Sequence, residues 1–445
     1  MIFDLLVAIC VLIILGVVMI IAKLLSKRLS PEGSRKTIHI TMGCVALTFP
    51  FVFESTITVV VLGIVAILAL LYLRVNKNLR EGVGTALLGI HRKSIGDIYF
   101  VISIVIVFVL HDHPFEYIIP ISILTFADST AALIGTSYGR HNMSQHNQED
   151  AKSREGSVIF FIVAFICSLV PLQLMTEVGR AEVLVISFLI GFLAAIIEAV
   201  SRHGNDNLLL PFLTYGFLIY NSQQPLNTLL SYLGLMVLVA FAIFLIYKLT
   251  NITKLSIAYS FLVGYIVLIL GDAIWIFPPL ALLLTFGILP MMKKDEKKMT
   301  QSYKAVECNA IIGVICLYIS VFLPQYREIL YIAFSFSFSC HLAINTYSRL
   351  VNFFQKSKSN SILYGLIKGI IFIALPTWFV VQTHLVMFIY LILLALSMPF
   401  AVSLNEKYDY TIVSDETCNA NKFLVGILTT ILTAILLVLT MMEVL

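Results

Sequence analysis

The chain has 445 residues, 60% of them hydrophobic and only 12% charged, with a mean hydropathy of +0.98. Soluble domains carry about 25% charged residues, so this composition excludes a water-soluble globular enzyme and indicates an all-α, polytopic membrane protein. The formal net charge of +4 is too small to point to a nucleic-acid partner.

A bilayer span needs about 20 largely apolar residues, and about 16 such windows are predicted. They lie near 2–22, 36–53, 56–73, 98–110, 116–136, 157–173, 182–200, 208–220, 228–247, 255–270, 273–290, 305–323, 329–348, 362–381, 384–403 and 422–442. The windows near 98–110 and 208–220 are short enough for re-entrant segments. The first window lacks a small-residue cleavage pattern and is expected to be a retained anchor. Lys and Arg concentrate in alternate loops, 23–36, 74–97 and 137–156, and later in Lys248 and Lys254, in "KKDEKK" and in 349–358. The intervening loops "FES" and "HDHPFE" hold none, and "TEVGRAE" holds only Arg180. The expected orientation therefore places the N-terminus outside and every basic loop in the cytosol. The seven cysteines are scattered with no CxxC spacing and read as small buried apolar residues.

The loops keep a rhythm of tight turn and longer basic loop from residue 36 to about 220, and the rhythm returns from residue 254. Two parallel seven-span repeats joined by a linking span are therefore expected. The implied divisions are an anchor and basic loop at 1–34, a catalytic membrane domain at 35–222, a linking helix at 223–253 and a degenerate second repeat at 254–445.

Chemistry concentrates in the first repeat. In "FADSTAALIGTSYGRH", Asp128 stands inside an apolar window, where an acid costs roughly 2.5–3.5 kcal/mol at the bilayer centre. Asp128, Ala132, Gly135 and Gly139 fall on one helical face, and Arg140 follows. Such a stripe serves either helix packing or close approach of a ligand. In "KSREG", Lys152 and Arg154 suit phosphate oxygens, Glu155 suits a metal ion, and Gly156 opens a helix whose amides favour anions. The same stretch could simply mark membrane entry. "EAVSRHGNDNLLLPF" adds Glu198, Asp206 and Asn207, although "GNDN" is also an ordinary capped turn. "SRKTIHI" adds Arg35, Lys36 and His39, which could equally be snorkelling cations beside a core histidine. Carboxylates at a membrane mouth suit Mg²⁺, which is commonly held by one or two carboxylates plus substrate phosphates. Phosphoryl transfer needs mainly positioning and charge neutralisation, and the apolar surround implies a lipid acceptor.

These segments, with "SRKTIHITMG" and "KSIGDIYF", resemble the CTP-dependent polyprenol kinase family of dolichol and phytol kinases, over about residues 35–216. That family is related to phosphatidate cytidylyltransferases, whose fuller C-terminal signature this chain lacks. The resemblance implies phosphorylation of a long-chain isoprenoid alcohol with CTP as donor and Mg²⁺ as the ion. On it, Asp128, Lys152, Glu155 and Asp206 are catalytic. Arg35, Lys36, His39, Gly135, Gly139, Arg140, Gly156 and Asn207 meet the nucleotide, and Asp128, Glu155, Glu198 and Asp206 hold the metal. The second half is weakly similar to phytyl-phosphate kinase-like membrane proteins through "KKDEKK" and "YKAVECNAIIG". Laid on the first repeat, "INTYS", "KSNSI" and "CNANK" put Asn345, Ser361 or a neighbour, and Ala420 where Asp128, Glu155 and Asp206 stand, so a non-catalytic repeat is expected. A cytidylyltransferase and a lipid transporter or scramblase are the alternatives. A transporter should place charge near the midplane and use both repeats. A bacterial plasma membrane is the expected location, with the endoplasmic reticulum as the alternative. Because Asn closely matches Asp in shape, Asp128→Asn is expected to abolish activity while preserving the fold.

Overall fold

The computed structural model describes residues 2–25, 31–81, 95–138, 152–201, 204–249, 254–272, 274–288, 303–352, 354–381 and 387–397. The regular elements among them are helices. The chain divides into two compact units, Met1–Leu230 and Ser231–Leu445.

The first unit contains α1 (Ile2–Leu25), α2 (Pro31–Ala46), α3 (Thr56–Val75), α4 (Gly96–Leu110), α5 (Pro114–Ser122), α6 (Asp128–Tyr138), α7 (Arg154–Met175), α8 (Arg180–Val200) and α9 (Asp206–Ser222). The division falls in the first turns of α10 (Leu226–Leu249). A π-helical turn, Ile123–Ala127, joins α5 to α6. The window expected near 36–53 is broken: α2 stops at Ala46, and Pro50 opens a separate one-turn helix, Phe49–Val52. Proline has no N–H and clashes in a helix interior, which explains the break.

Burial separates the centre of this unit from its rim. The Thr56–Val75 span is 17% buried and Arg154–Met175 22%, whereas Arg180–Val200 is 61% buried. α8 lies between α7 and α9, α9 packs on α4 and α5, and the π turn touches both α2 and α7. Buried tyrosines tie helix ends together. The Tyr117 hydroxyl donates to the Ala46 carbonyl at 3.1 Å, and Tyr215 donates to that of Leu110 at 2.5 Å. The tight turn before α5 is closed by Glu116, whose carboxylate accepts from the backbone of Asp112 and His113 at 2.8 and 3.2 Å.

The second unit contains α11 (Lys254–Leu270), α12 (Phe277–Ile288), α13 (Tyr303–Phe322), α14 (Arg327–Asn352), α15 (Lys358–Gly369) and α16 (Leu375–Val380). Its centre is α14, within a span that is 94% buried and carries Ser335, Ser337, Ser339 and His341 inward. Asn345 donates from its amide to the Asn309 side chain at 3.3 Å. The Ser357 hydroxyl caps α15 by accepting from the Asn360 amide, as the Ser153 hydroxyl caps α7 by accepting from Gly156. On the expected repeat, matching these caps would set "KSKSN" opposite "KSREG" and Ser359, a neighbour of Ser361, at the Glu155 position. Ala420 lies outside the described residues.

Among the described residues, seven helices are long and apolar enough to cross a membrane, and five shorter apolar helices accompany them. The window at 422–442 lies outside those residues. Replacing Tyr117 by Phe deletes the donor to a buried carbonyl, so Tyr117→Phe should lower stability by about 1–2 kcal/mol, read as a reduced thermal midpoint in detergent.

Candidate functional site

Two ion-pair groups form at the same end of the first unit. In the first, Lys36 Nζ donates to Asp128 Oδ2 at 2.5 Å, with the two side chains 2% and 16% exposed. Asp128 reaches this position because it is the first residue after the π turn. That turn is clasped by His39 of α2, whose Nε2–H donates to the Leu124 carbonyl at 3.0 Å. The same nitrogen lies 3.7 Å from Asp128 Oδ2. The His39 ring rests on Phe100 of α4, with centroids 4.3 Å apart. Arg35 lies within electrostatic range of both Asp128 and His39.

In the second group, Lys152 Nζ is 2.9 Å from Glu198 Oε1 and 3.6 Å from Asp206 Oδ2, and it also donates to the Glu198 backbone carbonyl. Ser157 bonds the other Glu198 oxygen at 3.5 Å. Asp206 is presented by the first turn of α9, where the helix dipole favours a negative charge. Gly204, at φ 84°, turns the chain into that helix, in the left-handed region that glycine adopts without penalty. Burial disfavours the Lys152 charge, but Glu198 and Asp206 outweigh it and hold the lysine above its usual 10.5. Lys152 also feels Asp128, so the two groups share one electrostatic field.

The stripe of small residues joins these groups by packing. A Cβ on Gly156 would stand 3.1 Å from both the Ala131 carbonyl and the Ser153 hydroxyl, and 3.6 Å from Gly135 Cα. One on Gly135 would stand 3.0 Å from the same hydroxyl. The glycine pair thus lets α6 lie against the first turn of α7, which sets Asp128 and Lys152 on adjoining backbones. The Gly156 amide, assigned from sequence to an anion, donates to Ser153 Oγ at 3.1 Å.

Other sequence-derived residues are placed as follows. Glu155 is half-buried in the first turn of α7. The Asn207 side chain is buried and donates to the Gly96 carbonyl at 2.7 Å, so it fastens α9 to α4. Gly139 and Arg140 lie outside the described residues. Among the described residues no three His, Cys, Asp or Glu side chains converge as a metal cage. Asp128 instead faces Lys36, while Glu198 and Asp206 share Lys152. Sequence reasoning missed Asp97 and Arg74, which form an ion pair between α4 and α3. The signal was present in "KSIGDIYF": an acid in the first turn of a helix that also carries Phe100.

A phytol kinase from Synechocystis sp. is 30% identical to this chain over 204 residues, 44% of this chain and 83% of that protein. The chain belongs to the phytol kinase family. No family model matches the chain, and no solved structure matches it. Membership of the phytol kinase family, with the apolar helices above, makes this an integral membrane protein.

The Lys36–Asp128 pair corrects one expectation. Removing one member of a buried ion pair costs about 3–5 kcal/mol, because the other charge is left uncompensated. Asp128→Asn alone should therefore destabilise the fold, and Lys36→Met combined with Asp128→Asn should restore much of the thermal midpoint. For Lys152, a folded-state pKa raised above 10.5 means its stabilising contribution is fully present below that value and is lost only as pH rises through the folded value. The stability difference between wild type and Lys152→Met should accordingly stay constant from about pH 6 to about pH 9 in thermal melts.

Proposed function

We propose that the chain is an integral membrane kinase that transfers the γ-phosphoryl group of a nucleoside triphosphate, CTP, to the hydroxyl of a long-chain isoprenoid alcohol such as phytol or a polyprenol. The observation that carries this reading is the gathering of Arg35, Lys36 and Lys152 with Asp128, Glu198 and Asp206 at one end of an apolar bundle. The relative's name supplies the class of acceptor. Lys152, a flexible point charge held among carboxylates, is suited to exchange one of them for a phosphate oxygen. Lys36 and Arg35 supply positive charge on the opposite flank. Glu198 and Asp206 both approach one atom, Lys152 Nζ, and so fit the pair of carboxylates that Mg²⁺ uses together with phosphates. That ion would supply positive charge that offsets the charge developing on the phosphates. The second unit, with Asn345 and Ser359 at the positions of acids, is a non-catalytic partner in this reading. The basic loops face the cytosol, where the nucleotide is.

The test is a purified protein in vesicles with a prenol, Mg²⁺ and CTP labelled either at the γ-phosphate or in the cytidine. The γ-label is expected in the lipid. Cytidine label in the lipid would instead identify a cytidylyltransferase, and movement of lipid with no label incorporated would identify a transporter. Lys152→Ala should lower turnover by about 10²-fold, the usual loss when one preorganised charge contact is removed.

A further inference from the structure

The acids of the two ion-pair groups already face lysine ammonium groups. Asp97 differs. Its Oδ1 is held by the Arg74 guanidinium, whereas its Oδ2 is buried and has no hydrogen-bond partner. A buried carboxylate oxygen left unsatisfied costs at least about 1–3 kcal/mol, so native structures rarely keep one without a use for it. The side chain is 14% exposed and sits in the first turn of α4.

Its neighbours link it to both ion-pair groups. Gly96, the preceding residue, accepts from Asn207, the neighbour of Asp206. Phe100, one turn on, carries the His39 ring that borders Asp128. Asp97 is thus next to a residue that contacts the neighbour of Asp206, and one helical turn from a residue that contacts the neighbour of Asp128. α3 delivers Arg74 to it and presents exposed Leu71, Tyr72 and Val75. α3 is the least buried of the candidate spans, so this flank of the site opens on the apolar surround.

Resting on the kinase reading above, we propose that Asp97 Oδ2 receives the hydroxyl of the lipid alcohol and acts as its general base. The alcohol oxygen attacks the γ-phosphorus and forms the new P–O bond. The bond from that phosphorus to the β,γ-bridging oxygen breaks, and the nucleoside diphosphate leaves with the electron pair. The hydroxyl proton passes to Asp97 Oδ2. Arg74 is a positioning residue that fixes the other oxygen.

The experiment compares wild type, Asp97→Asn and the charge-balanced Arg74→Gln/Asp97→Asn. Three quantities are measured in the full chain: turnover with a prenol, binding of a non-hydrolysable CTP analogue, and binding of the prenol against its methyl ether, which lacks the O–H donor. Turnover should fall at least about 10²-fold, the usual contribution of a positioned base. Nucleotide-analogue binding should stay within about twofold, and the wild-type preference for the alcohol over the ether should shrink in both variants. The double variant should melt near wild type and remain inactive, which separates chemistry from folding. Loss of nucleotide binding in the double variant, or an unchanged preference for the alcohol, overturns the proposal. A wild type that prefers the alcohol yet transfers no phosphoryl group overturns the kinase reading while leaving Asp97 as the hydroxyl acceptor.

Discussion

A lysine ammonium in an apolar bundle is tolerable only beside a compensating charge, and the first unit is organised around that requirement. Lys36 is almost wholly buried, and Asp128 is its partner. The pair joins α2 to α6, and through His39 it also joins α2 to the π turn and to α4. Breaking either member strands the other in a low-dielectric setting, at a cost comparable to a large part of a domain's net stability. The charges that suit the site for phosphate chemistry are therefore also part of what holds its helices together.

That double duty bears on how a ligand would enter. Each lysine of the site already has a carboxylate, and each of those carboxylates already has a lysine. An incoming triphosphate with its counter-ion brings both signs of charge. It can replace these contacts pair for pair without leaving a buried charge alone. On the proposed kinase reading, the resting ion pairs are place-holders of the correct sign, which keep the unliganded bundle stable and the positions of the side chains set.

Much of this was legible in the sequence, and the reasons for the rest are physical. Helical architecture followed from composition, and the start of α7 from "KSREG", because capping is local. The division of the acids was not legible. Nothing in a linear chain says that Lys36 reaches Asp128 across ninety-two positions, while Lys152 reaches Glu198 and Asp206. Gly135 and Gly156 were visible as small residues, but the choice between packing and ligand approach needed the facing backbone. That the Asn207 amide fastens α9 to α4 is likewise visible only in the fold. Asp97 was overlooked because an acid in a first turn is an ordinary helix-dipole feature. Only the buried second oxygen distinguishes it.

The π turn at Ile123–Ala127 has a consequence for the whole hairpin of α5 and α6. A π turn accommodates an extra residue, and one residue corresponds to about 100° of helical rotation. The faces of α5 and α6 are thus out of phase, and no single helical wheel describes 114–138. In an unbroken α-helix the eleven steps from Tyr117 to Asp128 would return to nearly the same face; the π turn offsets them by about a quarter turn, and both still reach α2, Tyr117 at Ala46 and Asp128 at Lys36. Converting the turn to regular α-helix with every residue kept would rotate α6 by roughly 100° and carry Asp128 away from Lys36, whereas removing one residue between 123 and 127 would straighten the helix and leave the aspartate facing its lysine. In this hairpin, how the backbone takes up one residue is as much a determinant of the chemistry as that residue's identity.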